Sequence, residues 1–138
     1  MSKNILLGIT GSVAASKSEI LFGKVSKNNN VKIITTDAGS KYLTSEFLKN
    51  NEIISSWEDL QGSPHIELAR WAEVFLIYPA TANFISKMAM GIADDLLLST
   101  VLMYNDPIYL APAMHEEMYL NPIIQKNILE LSKNNIVC

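Results

Sequence analysis

Short apolar runs that stop abruptly at small polar residues, each followed by a helix-forming stretch, constrain this chain most. Asn4-Ile-Leu-Leu-Gly-Ile9 ends at Thr10-Gly11-Ser12, the pattern of a strand buried on both faces that meets a turn. From Ser12 onward, Val13–Ser26 offers a cap residue and good helix formers, with apolar positions at Ala14, Ile20, Leu21 and Val25. Asn28-Asn29-Asn30 ends that helix, Val31–Thr36 repeats the strand pattern, and Ser40–Lys49 repeats the helix pattern. This β-α-β-α order predicts an α/β fold: a doubly wound, Rossmann-like or flavodoxin-like parallel sheet in a three-layer αβα sandwich.

The alternation continues to the end of the sequence. After a polar stretch, Asn50–Gly62, Ser63-Pro64 supplies a cap and a proline at the first helical position, opening a helix through Trp71. Val74–Tyr78 reads as a third strand stopped by Pro79, and Gly91 separates two helices, Asn83–Met90 and Asp94–Met103. Pro107–Ala111 is the fourth strand, Asn121–Lys133 a further helix, and Ile136-Val137-Cys138 the start of a fifth strand. The 138 residues suit one domain, 1–138. A net charge of −3 gives no field for steering toward phosphate backbones, so nucleic acid is not an expected partner. The single cysteine, Cys138, excludes an internal disulfide and argues against a Cys-based zinc site, which fits a reducing, cytoplasmic compartment. The N-terminal apolar run is too short for a signal-peptide core or a membrane span.

In open parallel sheets, ligands bind outside the carboxyl ends of the strands, so the loops that follow the strands are the candidate site. The loop Thr10-Gly11-Ser12 lies at a helix N-terminus, where free N–H groups favour an anion such as phosphate. It is not a Walker A loop, because Ser16 stands where glycine must precede Lys17-Ser18. It also lacks the glycine spacing of the dinucleotide fingerprint, although Asp37 sits near the place of a ribose-binding acid. A plain tight turn is the alternative reading. His65 falls in the first turn of its helix, where the dipole favours the neutral ring and suits it to act as a base; a partly buried structural histidine is the alternative. Pro79-Ala-Thr-Ala-Asn83 offers a hydroxyl and an amide to the polar edge of a planar ligand, or simply a capped turn with Asn83 as N-cap. Met114 and Met118 lie one turn apart if their loop begins a helix, suiting them to a flat apolar ligand or to core filling. With only two histidines, not spaced as in zinc proteases, no metal site is expected.

Five segments in order carry a resemblance that spans essentially the whole chain. They are Gly8-Ile-Thr-Gly-Ser-Val-Ala-Ala15, His65-Ile-Glu-Leu-Ala-Arg-Trp-Ala72, Pro79-Ala-Thr-Ala-Asn83, Gly91-Ile-Ala-Asp-Asp-Leu-Leu-Leu-Ser-Thr100, and Ala111-Pro-Ala-Met-His-Glu-Glu-Met-Tyr-Leu-Asn-Pro122. Together they resemble the homo-oligomeric flavin-containing cysteine decarboxylases. The resemblance implies FMN as cofactor, with Gly11, Ser12, Val13 and Thr36 at its phosphate and Thr81, Ala82, Asn83 and Ser99 at the rest of the flavin. It implies His65 as the active-site histidine and an active site completed between subunits of a homotrimer, or of a larger assembly of trimers. The implied reaction is oxidative decarboxylation of a small cysteine-containing substrate. In the coenzyme A branch this is 4′-phosphopantothenoylcysteine, carried on to 4′-phosphopantetheine; in the lantibiotic branch it is a peptidyl cysteine, and the reaction stops at the ene-thiol. A non-catalytic FMN-binding subunit of a mixed oligomer is the reading from another class.

This sequence departs from the family pattern twice. His115 replaces the asparagine that grips the substrate carboxylate; with Met114 it is still expected to contact substrate, since imidazole can donate a hydrogen bond. The flap with its proton-donating cysteine is expected after the fifth strand, where the sequence ends, and Cys138 reads as strand rather than flap.

Overall fold

The computed structural model describes residues 1–138. Strands β1 (Asn4–Ile9), β2 (Asn30–Thr35), β3 (Ile53–Ile54), β4 (Val74–Ala80), β5 (Ile108–Pro112) and β6 (Ile136–Val137) form one six-stranded sheet in the order β3-β2-β1-β4-β5-β6. Every pairing is parallel. The helices are α1 (Ala15–Val25), α2 (Asp37–Ser40), α3 (Ser45–Asn50), α4 (Pro64–Trp71), α5 (Ala82–Ala89), α6 (Leu96–Met103), α7 (Glu116–Tyr119) and α8 (Pro122–Ser132). None is long and apolar enough to cross a membrane.

Alternation of side chains along β1 explains why the run had to be apolar on both faces. Leu7 and Ile9 join Ala15 of α1, Ile33 of β2 and Phe47 of α3 in a core on one face of the sheet. Leu6 faces the other way, into a larger core with Phe75 and Ile77 of β4, Leu68 of α4, Ile85 of α5, and Leu96 and Leu97 of α6. This is the doubly wound, three-layer α/β architecture that the alternation predicts.

Several expected boundaries are corrected. The stretch Asn50–Gly62 is not simply polar loop: Ile53 and Ile54 pair with Ile33 and Ile34 as an edge strand, and Trp57–Asp59 forms a 3₁₀ turn. The strand at Val74 is therefore the fourth of six. It also does not stop at Pro79 but runs to Ala80, and its pairing with β5 shifts register between Ile77 and Ala80, the kind of irregularity where a strand tolerates proline. The expected helix Ser40–Lys49 starts only at Ser45, where the Thr44 hydroxyl caps α3, and the turn after β2 that precedes it is itself a short helix, α2, capped by the Thr36 hydroxyl. Glu19 of α1 fixes the second cap by accepting the Thr44 N–H at 2.8 Å and its hydroxyl at 2.9 Å.

Helix α1 buries Ala15 and Ser18, whereas Ile20, expected on the core face, is 63% exposed. Ser12 lies outside this helix, but its hydroxyl accepts the Ala14 N–H at 3.1 Å and so serves the start of the helix. Gly91 does end the α5 region: it has φ +71°, a left-handed conformation that glycine adopts without a Cβ penalty. Helix α6 begins at Leu96 behind an Asp95 cap. Strand β6 ends at Val137, so Cys138 lies just beyond it, exposed.

Candidate functional site

At the carboxyl ends of β1, β2 and β4, three loops and the segment after β5 enclose a cleft of about 660 Å³. Its volume falls within the roughly 300–1,000 Å³ typical of small-molecule sites. Gly11, Ser12, Val13, Thr36, Thr81, Ala82, Asn83 and Met114 all line it, so most of the candidate residues meet in one place.

The cleft is furnished with free donors. The backbone N–H groups of Gly11, Val13, Ala82 and Asn83 make no hydrogen bond within the protein. Those of Ala82 and Asn83 belong to the first turn of α5, where intrahelical acceptors are missing by geometry. The α5 N-cap is Thr81, whose hydroxyl accepts the Phe84 N–H at 3.2 Å, so Asn83 is not the cap and its side chain is exposed beside the cleft. Gly11 is required by close approach: a Cβ built there would lie 2.5 Å from the Ala38 Cβ of α2. The chain can bring the β1 loop against α2 only without that atom.

Thr10 holds the cleft together, a role that the sequence reading missed. It is buried; its hydroxyl donates to the Pro79 carbonyl at 2.7 Å and accepts the Thr81 N–H at 3.0 Å. One side chain thus ties the loop after β1 to the loop after β4. Thr10→Val is expected to leave the Thr81 N–H unpaired, while the Pro79 carbonyl keeps the Thr10 N–H at 3.2 Å, and to lower unfolding stability by about 1–3 kcal/mol, measurable as a fall in the urea midpoint.

Apart from Asp37, the charges of the cleft were also not anticipated. Asp37, Asp94 and Asp95 line it, with Lys87 as the one lysine or arginine among the lining residues. Lys87 is paired with Asp94 at 2.8 Å, and that hydrogen bond raises the Lys87 pKa. An anion entering here therefore meets neutral N–H donors rather than an unpaired cation. Burial pushes the Asp95 carboxyl above its ordinary range, Asp94 adding to the effect, while the hydrogen bond from the Leu98 N–H, at 2.7 Å, opposes it.

A raised folded-state pKa means that the folded state holds the proton more tightly than the unfolded chain. Ionised Asp95 therefore costs stability at neutral pH, and the cost is relieved as pH falls through the raised value. Asn caps a helix as well as Asp does. Asp95→Asn is expected to match or exceed wild-type stability at pH 7, by up to about 1 kcal/mol, the gap closing as pH falls. Urea titrations across the acidic range check this.

The remaining candidates sit apart from the cleft. Ser99 does not line it; its buried hydroxyl donates to the Asp95 carbonyl at 2.9 Å inside α6. His115 lines an adjoining hollow of about 570 Å³ that it shares with Met114, Ser12 and Val13. Its Nδ1 accepts the Glu117 N–H at 3.4 Å, capping α7. His65 lines neither cavity. It stands behind Pro64 in the first turn of α4, with Nδ1 buried and without a hydrogen-bond partner. Within one chain, the candidate base and the candidate ligand cleft are separate features.

A doubly wound sheet with a ligand cleft where β1 and β4 diverge defines a broad class of nucleotide- and flavin-binding domains. The chain belongs to the Flavoprotein family, which it matches along residues 1–138. It is 41% identical over 140 residues to the coenzyme A biosynthesis bifunctional protein CoaBC of Borreliella burgdorferi, covering 97% of this chain and 36% of that protein. It spans about a third of the length of the CoaBC relatives it matches. It is 38% identical over 142 residues to a protein of Streptococcus mutans described as a probable phosphopantothenoylcysteine decarboxylase, covering 96% of this chain and 79% of that one. Among solved structures, a PPC decarboxylase variant complexed with pantothenoylaminoethenethiol superimposes with a TM-score of 0.90 at 31% identity, over 99% of this chain and 81% of that one. The FMN-binding protein AtHal3 does so with a TM-score of 0.89 at 30% identity, over 99% and 80%.

Proposed function

We propose that the chain binds FMN in the cleft and carries out oxidative decarboxylation of 4′-phosphopantothenoylcysteine in coenzyme A biosynthesis. The observation that carries this reading is the set of unpaired N–H donors at Gly11, Val13, Ala82 and Asn83 around one cleft, in a chain similar along almost its whole length to proteins named for that pathway or for phosphopantothenoylcysteine decarboxylation. Gly11, Ser12, Val13 and Thr36 would hold the phosphate through neutral donors, and Thr81, Ala82 and Asn83 the rest of the flavin. When bound, FMN supplies the two-electron oxidation of the cysteine thiol to a thioaldehyde, whose position β to the carboxylate lets CO2 depart.

The protein's own residues bind, orient and move the proton. His65 is assigned the base, through Nε2, because Nδ1 is the nitrogen shut off from solvent. Met114 and His115 are assigned the substrate: Met114 lies between the cleft and the adjoining hollow, and His115, with Nδ1 turned to the Glu117 N–H, keeps Nε2 for a carboxylate. Ser99 supports the cleft through the Asp95 carbonyl rather than by touching the flavin. Because His65 does not line the cleft of its own chain, the complete site is assigned to a homotrimer, or a larger assembly of trimers, in which a second copy brings His65 to it.

A peptidyl cysteine is the second substrate reading, favoured by likeness to the peptidyl-cysteine decarboxylase EpiD at 26% identity and a TM-score of 0.87. Carbon dioxide release from 4′-phosphopantothenoylcysteine and from a peptide with a C-terminal cysteine, measured side by side on FMN-loaded protein, separates the two. Turnover of the first alone is the expected result; turnover of the peptide alone reverses the assignment, and turnover of neither removes it.

A further inference from the structure

Resting on the assignment of His65 as the base, a second aromatic residue has a role that neither the cleft nor the family motifs give it. A base must be held at a fixed angle, and a histidine is usually oriented by a hydrogen bond to the nitrogen that does not react. His65 has no such bond: its Nδ1 is buried and unpartnered. What meets the ring instead is Trp57, with centroids 5.0 Å apart and planes inclined by 73°, an edge-to-face pair.

Trp57 is itself held by polar contacts on either side of it. It opens the 3₁₀ turn Trp57–Asp59, closed by a capping box in which the Asp59 carboxylate accepts the Ser56 N–H at 3.1 Å. The same carboxylate accepts the Ser55 N–H at 2.7 Å. The indole nevertheless stays 43% exposed. Burial of apolar surface alone therefore does not account for its placement, whereas contact with the imidazole does.

We propose that Trp57, fixed by the Ser55-Ser56-Asp59 turn, is a positioning residue that sets the orientation of the His65 imidazole. It acts through His65 and touches no reacting atom.

The chain has two histidines, so the ring protons of His65 can be assigned by NMR from their loss in His65→Asn. Trp57→Ala is expected to move these resonances as the indole ring current is removed. It is expected to lower kcat for decarboxylation by about 3- to 10-fold, the rate equivalent of an aromatic pair, with KM and FMN affinity within about twofold of wild type. Trp57→Phe keeps an aromatic face and is expected to restore most of both effects. If Trp57→Ala fails to fold, Asp59→Asn, on an exposed turn, is expected to shift the same resonances in the same direction by less.

Resonances that stay put overturn the proposal, as does a wild-type kcat when they move. Equal losses in the Ala and Phe variants, matched by equal falls in Tm, also overturn it by assigning the effect to folding. A wild-type protein that binds FMN and releases no CO2 overturns the decarboxylase reading instead; the resonances then still decide whether Trp57 holds the ring.

Discussion

A His65→Asn protein is expected to bind FMN as tightly as the wild type and to release CO2 from 4′-phosphopantothenoylcysteine about 10²- to 10⁴-fold more slowly, the range over which a positioned acid or base acts. Asparagine is similar in reach and polar, but it cannot accept a proton at neutral pH. The two effects separate because His65, which lines neither the cleft nor the adjoining hollow of its own chain, supplies none of the donors assigned to the FMN phosphate. Its replacement leaves the donors at Gly11, Val13, Ala82 and Asn83 in place. Flavin absorbance after gel filtration reads the first effect, and single-turnover CO2 release reads the second. Joint loss of flavin and activity would make His65 a structural residue.

Gly11→Val has the opposite signature. Its first added carbon meets the Ala38 Cβ at 2.5 Å, far inside the roughly 3.5–4.0 Å at which carbons pack, and neither atom is the end of a flexible chain. The β1 loop and α2 must therefore move apart, which displaces the Gly11 and Val13 amides from the cleft. Losing charge-assisted hydrogen bonds to a phosphate, each contributing about 1.5–3 kcal/mol, is expected to weaken FMN binding by about 100-fold or more. The fold is expected to persist, since overpacking at one contact costs about 1–3 kcal/mol. Fluorescence titration with FMN beside far-ultraviolet circular dichroism checks both expectations. Wild-type affinity for FMN would show that the β1 loop does not cradle the phosphate.

What the sequence made legible follows from which interactions are local. Strands β1 and β4 are readable because burial on both faces makes the whole run apolar, and α4 is readable because Ser63-Pro64 announces it. Strand β3 is not, since two residues show no period and its pairing partner lies in β2. The break between α2 and α3 is hidden because Tyr42 and Leu43 carry on the apolar pattern, while part of what fixes the Thr44 cap is Glu19, 25 residues away. Thr10 looks like an ordinary turn residue until β4 lies beside it, for its partner Pro79 is 69 residues further along the chain.

The cleft itself was legible as a set of loops because carboxyl ends of parallel strands gather in one place. The separation of His65 from that cleft was not, because it depends on how α4 packs within the crossover from β3 to β4. Nor was the edge-to-face contact between Trp57 and His65, which depends on a 3₁₀ turn inside a stretch that reads as plain polar loop.

The most direct test of the account is anaerobic mixing of the FMN-loaded protein with 4′-phosphopantothenoylcysteine while the visible flavin band is followed. The account predicts that the protein retains FMN through gel filtration and that the substrate bleaches the band, with thiol oxidation reducing the flavin. A protein that never holds FMN, or a bound flavin whose band is unchanged by substrate, would contradict it.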